Sequence, residues 1–198
     1  MTQKDRILVL RAFKHGESDL IVHGLNPLGA RLSFFVRGGA KSQKRFPGGI
    51  LEPTHYLDVS FRPGRGDEGD PLHSLQEATL LREFPKLRTD YSRLEAALHI
   101  LKLVHRLSQH GVIDSPDLFN LTGNALASIE TSSDLGKLKI HFEIKILASQ
   151  GVLPSEPRFQ PFLHAALQHC DDVKVNSDDR RWLEAQAHAH LEQYMGTW

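Results

Sequence analysis

The chain has 198 residues, 40% of them hydrophobic and 24% charged, with a single cysteine, Cys170. That length allows one large domain or two small ones, and that composition excludes a collagen, a coiled coil, a disordered tail and a disulfide scaffold. The 24 basic and 24 acidic side chains cancel overall, but residues 1–66 hold eleven bases against five acids (+6) and residues 67–198 hold thirteen against nineteen (−6).

In chain order, RILVLRA (6–12) is rich in strand formers and the turn-like His15-Gly16-Glu17-Ser18 separates it from a second strand, DLIVHGL (19–25). Asn26-Pro27-Leu28-Gly29 has the proline and glycine spacing of a reverse turn and predicts a hairpin to ARLSFFVR (30–37). HYLDVSF (55–61) alternates, with Leu57, Val59 and Phe61 on one face, and LHSLQEATL (72–80) supplies a fifth strand after the turn-rich RPGRGDEGDP (62–71). Five short strands in about 80 residues predict a small barrel, and the five-stranded OB-fold is the common one that meets nucleic acid.

From about Thr89 the period becomes helical. Ser92-x-x-Glu95 fits a capping box, and Leu94, Ala97, Leu98, Leu101, Val104 and Leu107 trace an apolar face up to Gly111. A second helix is expected from Ser115-Pro116 through Ile129, and a third from Asp134 to Gly151. The three prolines of 153–161 predict a loop, and a last helix after Ser177 is expected to place Trp182, Ala185 and Ala189 on one side before ending at Gly196. The fold class is therefore α+β: an OB-fold barrel over 1–80, then an all-helical domain over 81–198.

RGGAKSQKRFPGG (37–49) joins bases to four glycines, so backbone can approach a phosphate chain while side chains supply charge. Between Ala30 and Leu51 lie Arg31, Arg37, Lys41, Lys44 and Arg45 and no acid, and a solvated loop is the plain alternative to a DNA site. Arg11 and Lys14 are additional candidates. Phe34 and Phe35 point to opposite faces of their strand, so one ring, with Phe35 the candidate, could be exposed for base stacking, and core packing is the alternative for at least one of them. The segment lacks the order of a nucleotide triphosphate loop.

Twelve histidines raise a metal hypothesis. His188 and His190 diverge on one helix, and His164, His169 and Cys170 lack a second cysteine to complete a set. His73, His99, His105, His110 and His141 complete the nine of the helical half, for which solvated helix faces are the expectation; no metal and no cofactor are expected. Nor does a nucleophile elbow or paired-acid signature appear, and Asp171 and Asp172 beside Cys170 disfavour a thiolate, so a non-enzymatic role is expected. No apolar run reaches the roughly 18 residues of a membrane span, and MTQKDRILVL lacks a signal-peptide pattern, so the expectation is a cytoplasmic protein with no membrane partner.

VLRAFKHGESDLIV (9–22), NPLGARLSFFVRGGAKSQKRFPGGILEP (26–53) and EATLLREFPKLRTDYSRL (77–94) together resemble the bacterial recombination mediator and DNA repair family RecO, most specifically from Gly38 to Pro53. The resemblance implies an N-terminal OB-fold before a helical region, binding to single- and double-stranded DNA, and annealing of complementary strands. It further implies cooperation with RecR in loading RecA onto DNA coated by the single-strand binding protein (SSB), whose acidic C-terminal tail the family recognises, at the bacterial nucleoid. For that tail, location alone offers Lys102, Arg106, Lys137, Lys139 and Lys145, with ordinary solvated faces as the alternative. Many relatives carry a four-cysteine zinc module after the third helix. Here 152–176 holds only Cys170, so zinc is not carried over, and the chain ends earlier than the resemblance leads one to expect. Two other classes compete: an adaptor whose OB-fold binds protein only, and a metal-dependent enzyme of the helical half.

Overall fold

Alternation of apolar and polar residues builds the first part, which a computed structural model describes along with the rest of residues 1–64, 71–109 and 116–196. Strands β1 (Gln3–His15), β2 (Asp19–Leu25), β3 (Arg31–Val36), β4 (Tyr56–Arg62) and β5 (Leu72–Arg82) close into a barrel in the order β1-β2-β3-β5-β4. All neighbours are antiparallel except β3 and β5, which run parallel, as an OB-fold requires. Every strand foreseen from the sequence is present, β1 extending by several residues at either end. A bulge between Val9 and Arg11 bends β1 so that it pairs with β4 through its first half and β2 through its second.

The predicted turn after β2 forms: Gly29 N–H donates to the Asn26 carbonyl at 2.9 Å, with Gly29 at φ 84°, where a side chain would be strained. The Asn26 side-chain oxygen also accepts from the amides of Leu28 and Ala30. Inside the barrel, Ile7, Val9, Val22, Phe34, Leu57, Val59, Phe61 and Leu75 pack as one core. Phe34 and Phe61 meet edge to face at 5.3 Å, and Leu57, Val59 and Phe61 all point inward as their alternation predicts.

The helices are α1 (Pro85–Thr89), α2 (Tyr91–Gln109), α3 (Pro116–Ile129), α4 (Leu135–Ser149), α5 (Gln160–His164) and α6 (Ser177–Tyr194). The short α1 has no counterpart in the sequence reading. Ser92 does not cap α2: Asp90 accepts from the amides of Ser92 and Arg93, so the helix starts before the predicted box. Nor is the whole predicted stripe of α2 buried; Leu98 is exposed while Ala96, Ile100 and Leu103 are buried. The expected helix stop at Gly111, the start at Ser115 and most of the turn-rich 62–71 segment lie outside the described residues.

The chain divides into two units: Met1–Phe84 with Leu101–Phe119, and Pro85–Ile100 with Asn120–Trp198. In the second, α4 is buried almost all round, with Leu138, Phe142, Ile146 and Leu147 fully enclosed. Asp134 caps it by accepting from the Lys137 amide at 2.9 Å, and Gly151 follows it at φ 69°, where the sequence places the helix end. Asp134 also takes a two-pronged contact from Arg180 of α6 at 2.7 and 2.8 Å, and its carboxyl pKa lies below the usual range: burial pushes it up, but the Lys137 amide and Arg180 outweigh that. Helix α6 buries Leu183, Ala187 and Leu191, an i, i+4 stripe, whereas the predicted Ala185 and Ala189 are exposed and Trp182 is only half-buried. Alanines are good helix formers on any face, so their spacing did not mark the packed side.

The 153–161 stretch is not all loop. A 3-10 turn at Pro157–Phe159 leads directly into α5, and Phe159 and Phe162 are fully buried. Phe159 lies 5.5 Å from the Trp182 ring and Phe162 meets His141 edge to face at 5.2 Å. Aromatic packing thus anchors the segment in which only one cysteine stands.

Candidate nucleic-acid interface

The basic segment is held at both ends by backbone hydrogen bonds that its own sequence supplies. At its start, Gly38 N–H donates to the Asp19 carboxylate at 2.7 Å and Ala40 N–H to the Ser18 carbonyl at 2.9 Å, which ties it to the β1–β2 turn. Gly39 is required there, because a Cβ would sit 2.8 Å from the Val36 side chain. At its end, Thr54 N–H donates to the Val9 carbonyl and Val9 N–H to the His55 carbonyl, at 3.0 and 2.9 Å, beside the β1 bulge. Between them, Phe46, Ile50 and Leu51 turn inward and join the barrel core.

This arrangement leaves the cations outside. Arg37, Lys41, Lys44 and Arg45 are exposed, and Arg31 is half-buried at the start of β3. Arg45 donates to the Arg37 carbonyl at 2.7 Å and lies over the Phe46 ring at 5.2 Å, so its guanidinium closes the loop as well as charging it. Lys41 and Lys44 pair with no carboxylate among the described residues. Phe34 is fully buried and Phe35 half-buried, on opposite faces as expected. Lys14 and Arg11 are exposed on β1.

Cross-strand register reveals what sequence reading missed. Phe13, Ile21 and Phe35 stand opposite one another on β1, β2 and β3, forming a half-buried row on the outer face. Arg11 lies over the Phe13 ring at 5.1 Å, and the His15 ring meets Phe35 at 5.9 Å. Phe13 was readable only once the bulge set the phase of β1, since the bulge shifts which residues face outward. Beside this row, His23 of β2 and His105 of α2 are 3.0 Å apart through ring nitrogens. A cavity of about 240 Å³ opens between the end of β1, Leu20 and the glycine loop.

The cations of the helical part are placed differently. Lys137 is buried and its ammonium donates to the carbonyls of Asp171 and Val173, both at 3.0 Å. Lys145 donates to the Leu163 carbonyl at 2.7 Å, and burial lowers its pKa. Lys139 lies 3.5 Å from Glu95. In the other unit Lys102 is exposed and Arg106 half-buried.

Solvated faces account for His99, His164, His169 and His188, which are exposed, but not for all of the histidines. His141 is fully buried, donates through Nε2 to the Phe162 carbonyl at 2.7 Å, and burial pulls its pKa down to about 4. His73 and His105 are also buried, and His110 lies outside the described residues. Among the described residues no three histidine, cysteine or acidic side chains gather where they could hold a metal. The Cys170 thiol is buried and its pKa is pushed up to about 12, so it offers no thiolate, and the donor set does not fit the zinc module of the resembled family. Among the described residues no helix is long and apolar enough to cross a membrane.

Residues 1–84 match the family model described as Recombination protein O N terminal. The chain is 32% identical over 148 residues to the DNA repair protein RecO of Anaeromyxobacter dehalogenans, covering 74% of this chain and 56% of that one. It is 28% identical over 156 residues to that of Maridesulfovibrio salexigens (78% and 61%) and 30% identical over 156 residues to that of Syntrophus aciditrophicus (78% and 58%). The chain thus spans less than two thirds of the length of these relatives. A closed five-stranded barrel thus lies over the residues that match, and along three quarters of its length the chain is similar to DNA repair proteins of one kind, the recombination O proteins.

Proposed function

We propose that the chain is a DNA repair and recombination mediator that binds single- and double-stranded DNA through the barrel and anneals complementary strands. The observation that carries this reading is the clamped loop whose core side chains point inward while Arg37, Lys41, Lys44 and Arg45 point to solvent. Arg31 and Phe35 lie on β3, from which the loop springs, Phe13 stands on β1 in the same cross-strand row as Phe35, and Arg11 and Lys14 extend the charge. Phosphate contacts give affinity without sequence preference, which suits a protein acting at any gap or break. Annealing needs no covalent step, because strands whose phosphates are neutralised repel each other less and can search for pairing.

Five contacts on a single strand give a log K against log salt slope of about −3.5, at roughly −0.7 per phosphate. Titration of a labelled oligonucleotide by anisotropy over a salt series tests this. No binding at low salt would remove the DNA reading and leave the protein-only adaptor. We further propose RecR as a partner in loading RecA onto SSB-coated DNA. The SSB tail then falls to Lys102, Arg106 and Lys139 in preference to Lys137 and Lys145, whose ammonium groups already serve backbone carbonyls. Charge reversal at each against a tail peptide tests this; equal affinity across the series would exclude all three.

A further inference from the structure

We propose that the cavity under the glycine loop receives one unstacked base of a DNA single strand, with the flanking phosphates held at its mouth. The proposal rests on the DNA-binding reading above and adds to it a site for the base itself. Phe13, Leu20 and Phe46 provide apolar wall, and Ser42, Gln43 and Glu52 provide polar groups. The charge is ordered across the opening. Lys14 lines the cavity while exposed to solvent, and the exposed Lys41 and Lys44 are the chain neighbours of the lining residues Ser42 and Gln43. Glu52 contributes a carboxylate to the lining, which repels a phosphate and accepts hydrogen bonds from the exocyclic amino group of a base. A nucleotide is therefore oriented with its heterocycle inward and its phosphates outward.

The volume of about 240 Å³ has room for a single heterocycle and none for a base pair. A base in a duplex is stacked and paired and cannot enter without being flipped out. Occupancy thus distinguishes single strands from duplex, whereas the loop cations touch both. It follows that pairing with a complementary strand withdraws the base and loosens the protein's hold on the product.

Gly48 offers a way to close the cavity without altering charge. It lines the cavity, its φ is not in the left-handed region, and a Cβ there would meet only the end of the Gln43 side chain at 4.0 Å. The test compares an oligo-dC strand with a strand of equal phosphate count made of abasic residues, for the full-length chain and its Gly48→Leu variant. The unaltered chain is expected to prefer oligo-dC on the order of tenfold, the scale of one base contact. Gly48→Leu is expected to lose most of that preference. Full preference retained in Gly48→Leu, or equal binding of both strands by the unaltered chain, would overturn the cavity while leaving phosphate binding intact. Failure to bind either strand would overturn the DNA reading and the cavity with it. If Gly48→Leu does not give the cooperative melt of the unaltered chain, Ala40→Leu, at an exposed position of the same lining, takes its place with the same expectations.

Discussion

Lys41 and Lys137 are the same residue type put to opposite uses. Lys41 and Lys44 stand in solvent on a loop whose apolar members are drawn into the barrel, while Lys137 and Lys145 are turned inward to satisfy backbone carbonyls of the segment after α4. Net charge by segment does not separate these cases, because a buried ammonium counts equally in the sum yet presents nothing to a partner. What separates them is whether backbone acceptors lie within reach, and that depends on tertiary packing.

Mutations at the two kinds of site should therefore part company. The largest loss of stability is expected from Lys137→Ala, which strands two carbonyls that a buried ammonium now serves, at about 4 kcal/mol from two charge-assisted bonds. Urea unfolding measures it, and a loss below about 1 kcal/mol would place Lys137 with the solvent-facing cations instead.

Next comes acid. His141 is neutral and buried in the folded chain with its pKa lowered from 6.5 to about 4, so between those pH values the unfolded chain binds the additional proton. Stability from this residue is full above pH 6.5, falls as pH drops through the window and levels off below about 4, for a total of up to about 3 kcal/mol. Unfolding at pH 7 and pH 4.5, with His141→Asn as the comparison, measures that share; an equal pH dependence in the variant would assign it elsewhere.

On the barrel side, Asp19→Ala removes the acceptor of the Gly38 amide and is expected to cost about 1 kcal/mol. It should also weaken DNA binding severalfold, because the loop cations lose their fixed placement; unchanged anisotropy titrations would show that the tether does not matter to binding. The smallest change in stability, within about 0.5 kcal/mol, is expected for the double variant Lys41→Ala, Lys44→Ala, at exposed positions. That same variant should flatten the salt slope by about 1.4, from roughly 0.7 for each of two cations. Equal slopes would end the assignment of the loop to phosphate.

Much of the barrel was legible because its signals are local. Alternation at Leu57, Val59 and Phe61, the Asn26-Pro27-Leu28-Gly29 turn and the opposed Phe34 and Phe35 each follow from strand period or turn chemistry, and the structure carries them unchanged. The exposed cations of 37–45 were legible from a run of charge among glycines. Phe13 was not, since a bulge that no residue type announces set its face. In the helical part the period of α2 and α4 was plain, but which side of α6 packs was not, because alanines are tolerated on either. The interior roles of His141 and Lys137 depend on carbonyls 21 and 34 to 36 residues away in the chain, and no spacing in the sequence reports those.

The two clamps on the basic loop, Gly38 on Asp19 and Thr54 with His55 on Val9, have a kinetic corollary. Amides inside a clamp exchange with solvent deuterium only when the clamp opens, whereas an exposed amide with no acceptor exchanges at once. Gly38, Ala40 and Thr54 should then be slow islands bracketing fast exchange at Lys44. If the loop holds DNA as proposed, its charges meet the phosphates from a backbone track pinned at both ends.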